Sequence, residues 1–193
     1  MKKYQIIYAD PPWKYQRGKS MGTNFQGAAD AQYDCMPLEE IKNLPIKDLS
    51  DENCILFLWA TFPLLKEALE VVEAWGFTYK TLGFSWIKTN KDGSPLFGIG
   101  YYTKSNCEVC LLATKGKAHS LVRSNKVSSA IIHPRTEHSR KPDLIRNKIV
   151  ELCGDIPRIE LFARDDGNKN LFGKNRMDGW DVWGNEVKSD IKL

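Results

Sequence analysis

The chain has 193 residues, 42% hydrophobic and 27% charged, with a formal net charge of +4. Those proportions exclude wholesale disorder and suit one domain over 1–193, large enough for a sheet with covering helices. No apolar run is long enough to cross a bilayer, and the opening MKKYQIIYADPPW meets Asp10 too early for a secretory signal, so a cytoplasmic protein without a membrane partner is expected.

In chain order, residues 4–9 (YQIIYA) form a short apolar run stopped by Asp10 and two prolines, which predicts a strand. Residues 54–60 (CILFLWA) are continuously apolar, the pattern of a strand buried on both faces. Over 63–75, Leu64, Leu65, Ala68, Leu69, Val72 and Trp75 recur at helical spacing, and Gly76 supplies the stop. Strands are expected again at 81–88 (TLGFSWIK) and 108–114 (EVCLLAT), with a short one at 128–132. Residues 143–153 read as a helix, with Leu144, Ile145, Ile149, Val150 and Leu152 apolar and Gly154 after it. Residues 158–163 (RIELFA) are a last buried-type strand.

Strands alternating with helices predict an α/β fold with a mostly parallel, doubly wound sheet. Ligands bind such sheets at the carboxyl ends of the strands, which places Asp10 and Arg164 on one functional edge. Trp59, Trp75 and Trp86 fall inside strand or helix patterns and read as core. The polar segments 14–32, 89–106 and 115–126 are long enough to be binding loops or lids. Arg135, Arg140, Lys141, Arg146 and Lys148 gather around one helix start, and Lys14, Arg17 and Lys19 come after the first strand. Such clusters suit a phosphate backbone and equally a solvated face. Five cysteines, an odd number, argue against a disulfide framework, and Cys107 and Cys110 lack the second pair that a zinc site needs. His119, His133 and His138 show no triad logic and read as loop residues.

The sharpest signal is Asp10-Pro11-Pro12-Trp13, directly after a strand. An exocyclic amine on a base is a poor nucleophile, because its lone pair is delocalised into the ring. Two acceptors that hold its hydrogens out of plane would free that pair: the Asp10 carboxylate for one, the Pro11 carbonyl for the other. Consecutive prolines set the carbonyl direction without a competing N–H. Trp13 offers a flat face on which a flipped base could stack. Asp10 is too weak a base to deprotonate the neutral amine, so its work would be orientation and stabilisation of the cationic product nitrogen. The rest of such a reaction is in-line placement of a sulfonium methyl, and no metal is needed. The same four residues also fit a plain turn after an edge strand, and by themselves they leave both readings open.

The chain resembles the MT-A70 family of adenine methyltransferases over nearly its whole length. The resemblance is carried by Asp10 to Trp13, Tyr33 ahead of Met36-Pro37-Leu38-Glu39-Glu40-Ile41, and Leu56-Phe57-Leu58-Trp59. It continues through Trp86-Ile87-Lys88-Thr89, then Glu108 before Leu111 and Lys115-Gly116. It closes with Ser139-Arg140-Lys141-Pro142-Asp143, Glu160-Leu161-Phe162-Ala163-Arg164, Gly179-Trp180 and Gly184-Asn185-Glu186.

The resemblance implies a Rossmann-like class I S-adenosylmethionine-dependent methyltransferase with permuted motif order, the catalytic strand preceding the cofactor strand. It implies catalysis by Asp10, Pro11, Pro12 and Trp13. It also implies cofactor contacts from Asp10, Lys141, Phe162, Arg164, Asn185 and Glu186, and substrate contacts from Trp13, Tyr33 and Glu108. The expected substrate is the 6-amino group of adenine in nucleic acid, DNA in preference to RNA. Residues 98–102 lie in a loop where the family often contacts its target. Two alternatives are a non-catalytic nucleic-acid-binding relative that supports an active partner, and a cytosine-amine methyltransferase. The stretch 165–177 departs from the larger relatives. The chain also starts close to the catalytic strand, so target selection is expected from the polar loops, a homodimer or a partner subunit.

Overall fold

The computed structural model describes residues 2–14, 35–98, 100, 102–135, 140–164 and 179–193. Among them seven strands form one sheet: β1 (Tyr4–Ala9), β2 (Ser50–Ala60), β3 (Thr78–Thr89), β4 (Cys107–Lys115), β5 (Ala130–Pro134), β6 (Arg158–Leu161) and β7 (Asp181–Trp183). Their order is β5-β3-β4-β2-β1-β6-β7. β1 runs parallel to β2 and β6, β7 is parallel to β6, and β5 is parallel to β3. Only β4 is reversed, pairing antiparallel with both β2 and β3. The expected mostly parallel sheet therefore holds with one inversion. Bridges Thr89–Pro95 and Gly98–Ser105 lie between the end of β3 and the start of β4, and β4 pairs antiparallel beside β3.

The continuous apolar runs are explained by burial on both faces. Along β2, Cys54, Leu56, Leu58 and Ala60 enter one core, while Ile55, Phe57 and Trp59 enter the other. On the first face lie α1 (Leu38–Asn43), α2 (Ile46–Leu49) and α3 (Leu65–Ala74), which contribute Ile41, Ile46, Leu49, Ala68, Val71 and Val72. On the second lies α4 (Leu144–Cys153), through Ile145, Ile149 and Cys153. Each of these larger apolar side chains contributes about 1.5–3 kcal/mol by leaving water. Gly76, at φ 80°, comes just past the end of α3, where an L side chain would be strained.

Several expectations needed adjustment. β2 starts at Ser50 and β3 at Thr78, earlier than their apolar runs, because those first residues lie at sheet positions that do not require apolar side chains on both faces. The short α1 and α2, and the three-residue β7, leave too little periodicity to read in advance. The segment 115–126 is no open loop: Ala118 and Leu121 are buried in the second core, and the Arg123 N–H donates to the Leu152 carbonyl at 2.7 Å. Trp59, Trp75 and Trp86 are all core, at 1%, 0% and 1% exposed. No helix among the described residues is long and apolar enough to cross a membrane. The expectations on Arg17, Lys19, Tyr33, Ile99, Tyr101, His138 and the stretch 165–177 lie outside the described residues.

Candidate active site

Ala9 and Leu161 are register partners at the carboxyl ends of β1 and β6, so the segments leaving both strands emerge side by side. Asp10 opens the first of these segments, and Arg164 lies on the second. After Asp10 the chain turns tightly: the Trp13 N–H donates to the Pro11 carbonyl, and the Met36 N–H to the Pro12 carbonyl, both at 2.9 Å. Two prolines cannot donate, so the carbonyls set the turn. The Pro11 carbonyl is thus engaged on one side, and a carbonyl oxygen has a second lone pair to offer.

Trp13 differs from its expected role as an open platform. The residue is 8% exposed and belongs to the first core, and its Nε1–H donates to the Trp59 carbonyl at 3.1 Å. The indole anchors the turn to the end of β2 and presents little free face. The physical reason is proximity. β1 and β2 are adjacent strands, so the residue after the double proline lands on its neighbour's last turn of chain.

Lys141 stands just before α4, and its ammonium donates to both Asp10 oxygens, at 2.8 and 2.7 Å. The same ammonium lies 3.2 Å from Glu108 Oε2 on β4 and 5.4 Å from the centre of the Trp59 ring. Glu108 Oε1 in turn accepts from Lys88 on β3, whose ammonium sits 5.0 Å from the Trp86 ring centre. The result is a line of alternating charge, Lys88–Glu108–Lys141–Asp10. Burial pushes the Asp10 carboxyl above the ordinary aspartate value; Lys141 opposes the shift, Glu108 adds to it and Arg164 opposes it. Burial also pushes Glu108 up, but Lys141 and Lys88 outweigh it and hold the carboxyl below its usual value. Burial works against the Lys141 charge, yet the two carboxylates more than offset it, so the ammonium is held protonated.

A second ionic group fixes where Lys141 starts. Arg146, in the first turns of α4, grips the buried Glu160 of β6 through Nε at 2.5 Å and Nη2 at 2.7 Å, and also donates to Asp143 at 2.9 Å. This clamp ties the head of α4, and with it Lys141, to the strand beside β1. Breaking a buried pair leaves one charge uncompensated. Glu160→Gln is therefore expected to cost about 3–5 kcal/mol of stability, and Arg146→Met with Glu160→Leu to restore much of that loss. Chemical denaturation of the three proteins checks this; a Glu160→Gln protein as stable as the parent would show the clamp to be dispensable.

Past β6, Phe162 adopts a left-handed φ of 60° and sets its ring edge-on to Trp183, with centroids 5.3 Å apart. Here the ends of β6 and β7 are pressed together: the Ala163 N–H donates to the Trp183 carbonyl, and a Cβ on Gly184 would come within 2.4 Å of the Ala163 oxygen. Arg164 and Glu186 form a bridge, with Arg164 Nε 3.5 Å from Glu186 Oε1, and Asn185 and Glu186 are exposed. The structure thus brings Asp10, Lys141 and Glu108 into direct contact, and Arg164 within electrostatic reach of Asp10. Phe162 and Glu186 gather at the neighbouring strand ends, with Asn185 beside them. Lys88, Trp59 and Glu160 were missed as site residues, as was Tyr8, whose hydroxyl accepts from the Trp59 Nε1–H at 2.8 Å. Their signal was faint: Glu108 pairs opposite Trp86 across β3 and β4, which puts Lys88 on the same face.

The MT-A70 family model matches residues 4–186. The Type II methyltransferase M.MunI of a Mycoplasma species is 34% identical over 199 residues, covering 96% of this chain and 78% of that protein. The human N(6)-adenosine-methyltransferase catalytic subunit METTL3 is 26% identical over 187 residues, covering 96% of this chain and 28% of that protein. The human N(6)-adenine-specific methyltransferase METTL4 is 27% identical over 206 residues, and this chain spans 38% of its length.

Proposed function

Because the chain belongs to the MT-A70 family, we propose that it is an adenine-specific methyltransferase that places a methyl group on the 6-amino nitrogen of adenine in nucleic acid. The observation that carries this reading is the Asp10 carboxylate at the carboxyl edge of β1, after which the backbone turns through two prolines and against which Lys141 is closed. DNA is favoured over RNA by the family resemblance, and the Type II methyltransferase is the more similar of the relatives named and is covered over most of its length. The sheet order, with β1 an inner strand and β6 late in the chain beside it, supports a Rossmann-like methyltransferase sheet in which the catalytic strand precedes the cofactor strand.

The donor set fits S-adenosylmethionine as cofactor. Arg164 carries positive charge suited to a carboxylate, Asp10 carries negative charge suited to an ammonium, and Lys141, which already meets Asp10 and Glu108, would act on the cofactor through Asp10. Exposed Asn185 and Glu186 offer groups for ribose hydroxyls, and Phe162 packs edge-on to Trp183, two residues before Asn185. Bound there, the cofactor supplies an electrophilic methyl on a sulfonium. Asp10 accepts one N–H of the target amine and stabilises the positive charge that develops on nitrogen. The free lone pair of the Pro11 carbonyl takes the other N–H. Glu108 contributes through Lys141, which it touches, and Tyr33 remains a candidate substrate contact by resemblance.

The test is transfer of labelled methyl to matched DNA and RNA oligonucleotides with and without adenine, and then mass spectrometry of the nucleosides. N6-methyladenine, in greater yield from DNA, is expected. Methylated cytosine would replace the assignment, and cofactor binding without any product would point to a supporting, non-catalytic relative.

A further inference from the structure

The alternating line of charge at the site ends on a residue that neither the motif nor the turn chemistry requires. Lys88 lies two residues beyond Trp86 on β3, and Trp86 is the register partner of Glu108 on β4, so Lys88 and Glu108 share a face as diagonal neighbours. The side chains of Lys88, Glu108 and Lys141 keep only 21%, 13% and 10% of their surface. Solvent screens them weakly, and each charge is felt by the next. The Lys141 ammonium touches two carboxylates at once, at 2.7 Å from Asp10 and 3.2 Å from Glu108.

We propose that Lys88 is a positioning residue: acting through Glu108, it sets how the Lys141 ammonium is shared between Glu108 and Asp10, and so holds the Asp10 carboxylate ionised for the target amine. The role of Asp10 in this statement rests on the proposed function; the sharing of Lys141 does not. With Lys88 in place, Glu108 already has a cation and leaves Lys141 to Asp10. Without Lys88, Glu108 draws Lys141 toward itself, and Asp10 loses part of its counter-charge. Without Glu108, Lys141 has one carboxylate left, and Lys88 adds an unopposed positive charge nearby. The two changes push Asp10 in opposite directions.

The other groups that face Asp10 do not reproduce this pattern. Arg164, beyond β6, favours the ionised carboxylate independently of Lys88. Glu160 of β6 is gripped by Arg146. Tyr8 of β1 and Cys110 of β4 are held neutral by burial, far above their ordinary values.

The experiment is a pH titration of the Asp10 side-chain carboxyl by carbon-13 NMR, the signal being assigned by its loss in Asp10→Asn. It is run on the parent, Lys88→Met, Lys88→Arg and Glu108→Gln proteins, with pH profiles of methyl transfer and thermal melts alongside. Lys88→Met is expected to raise the Asp10 midpoint by about one pH unit and Glu108→Gln to lower it by a similar amount. Lys88→Arg should return the midpoint close to that of the parent. The acid limb of kcat/KM should move with each midpoint. A loss of packing alone would not give shifts of opposite sign. Midpoints that stay put, or that move the same way in both variants, overturn the proposal. Should Lys88→Met fail to fold, a Glu108→Gln midpoint that does not fall overturns it alone. A parent protein that methylates no adenine would count against the proposed function, and the NMR midpoints would still decide the role of Lys88.

Discussion

Asp10→Asn is expected to lower methyl transfer by about 10²- to 10³-fold, the usual effect of removing one preorganised electrostatic contact from a transition state. Asparagine has the same shape and still offers one carbonyl oxygen, so the turn through Pro11 and Pro12 should persist. The substitution removes the charge that opposes the cation forming on the target nitrogen. Stability should fall by less than in Glu160→Gln, because the Asp10 side chain keeps 29% of its surface against 9% for Glu160. Burial disfavours the ionised Asp10 in the folded protein, and Lys141 keeps a second carboxylate in Glu108 at 3.2 Å. The check is single-turnover transfer of labelled methyl with a thermal melt on the same sample. A folded Asp10→Asn protein that turns over within a few-fold of the parent would remove Asp10 from the chemistry. Because the Asp10 carboxyl lies above the ordinary aspartate value, activity should also fall as pH drops through that raised midpoint. The charged form is the working one, so the loss comes on the acid side.

Trp13→Ala is expected to destabilise the protein by about 3–5 kcal/mol, the cost of emptying a buried aromatic site. Trp13 is 8% exposed, packs in the first core and donates its indole N–H to the Trp59 carbonyl. Trp13→Phe keeps most of the packing and loses only that hydrogen bond, so about 0.5–1.5 kcal/mol is expected. Equilibrium denaturation of both variants separates this from a stacking role. If Trp13→Ala kept the parent's stability and lost only affinity for nucleic acid, the ring would be a base platform after all. If it lost stability as expected, reduced activity would result from a displaced turn, since Asp10 and Trp13 are held by the same short run of backbone.

Strand and helix positions with long apolar runs were legible because period and burial leave a mark on residue type. CILFLWA has to be apolar throughout if both faces of β2 are covered, and the spacing of Leu64 to Trp75 can hide one face only on a helix. Asp10-Pro11-Pro12-Trp13 was legible for a related reason: two prolines end a strand and leave few conformations to the residues after it. The ordered blocks from Asp10 to Glu186 carry the family and the substrate class, and the family implies the cofactor.

The tertiary structure decided which charges meet. Lys88 and Glu108 lie on two strands, Asp10 just past a third and Lys141 at a helix start, up to 131 positions apart between Lys141 and Asp10. Whether Lys141 serves phosphate, solvent or Asp10 depends on where α4 docks. That docking is set by the Arg146–Glu160 clamp and by Ile145 and Ile149 packing against the sheet. The reversal of β4 likewise left no mark on its residues, since an inner strand needs the same apolar side chains in either direction. Yet that reversal puts Glu108 at the start of β4, on the edge where β1 ends, and so beside Asp10. Local chemistry chose the elements; their packing chose the partners.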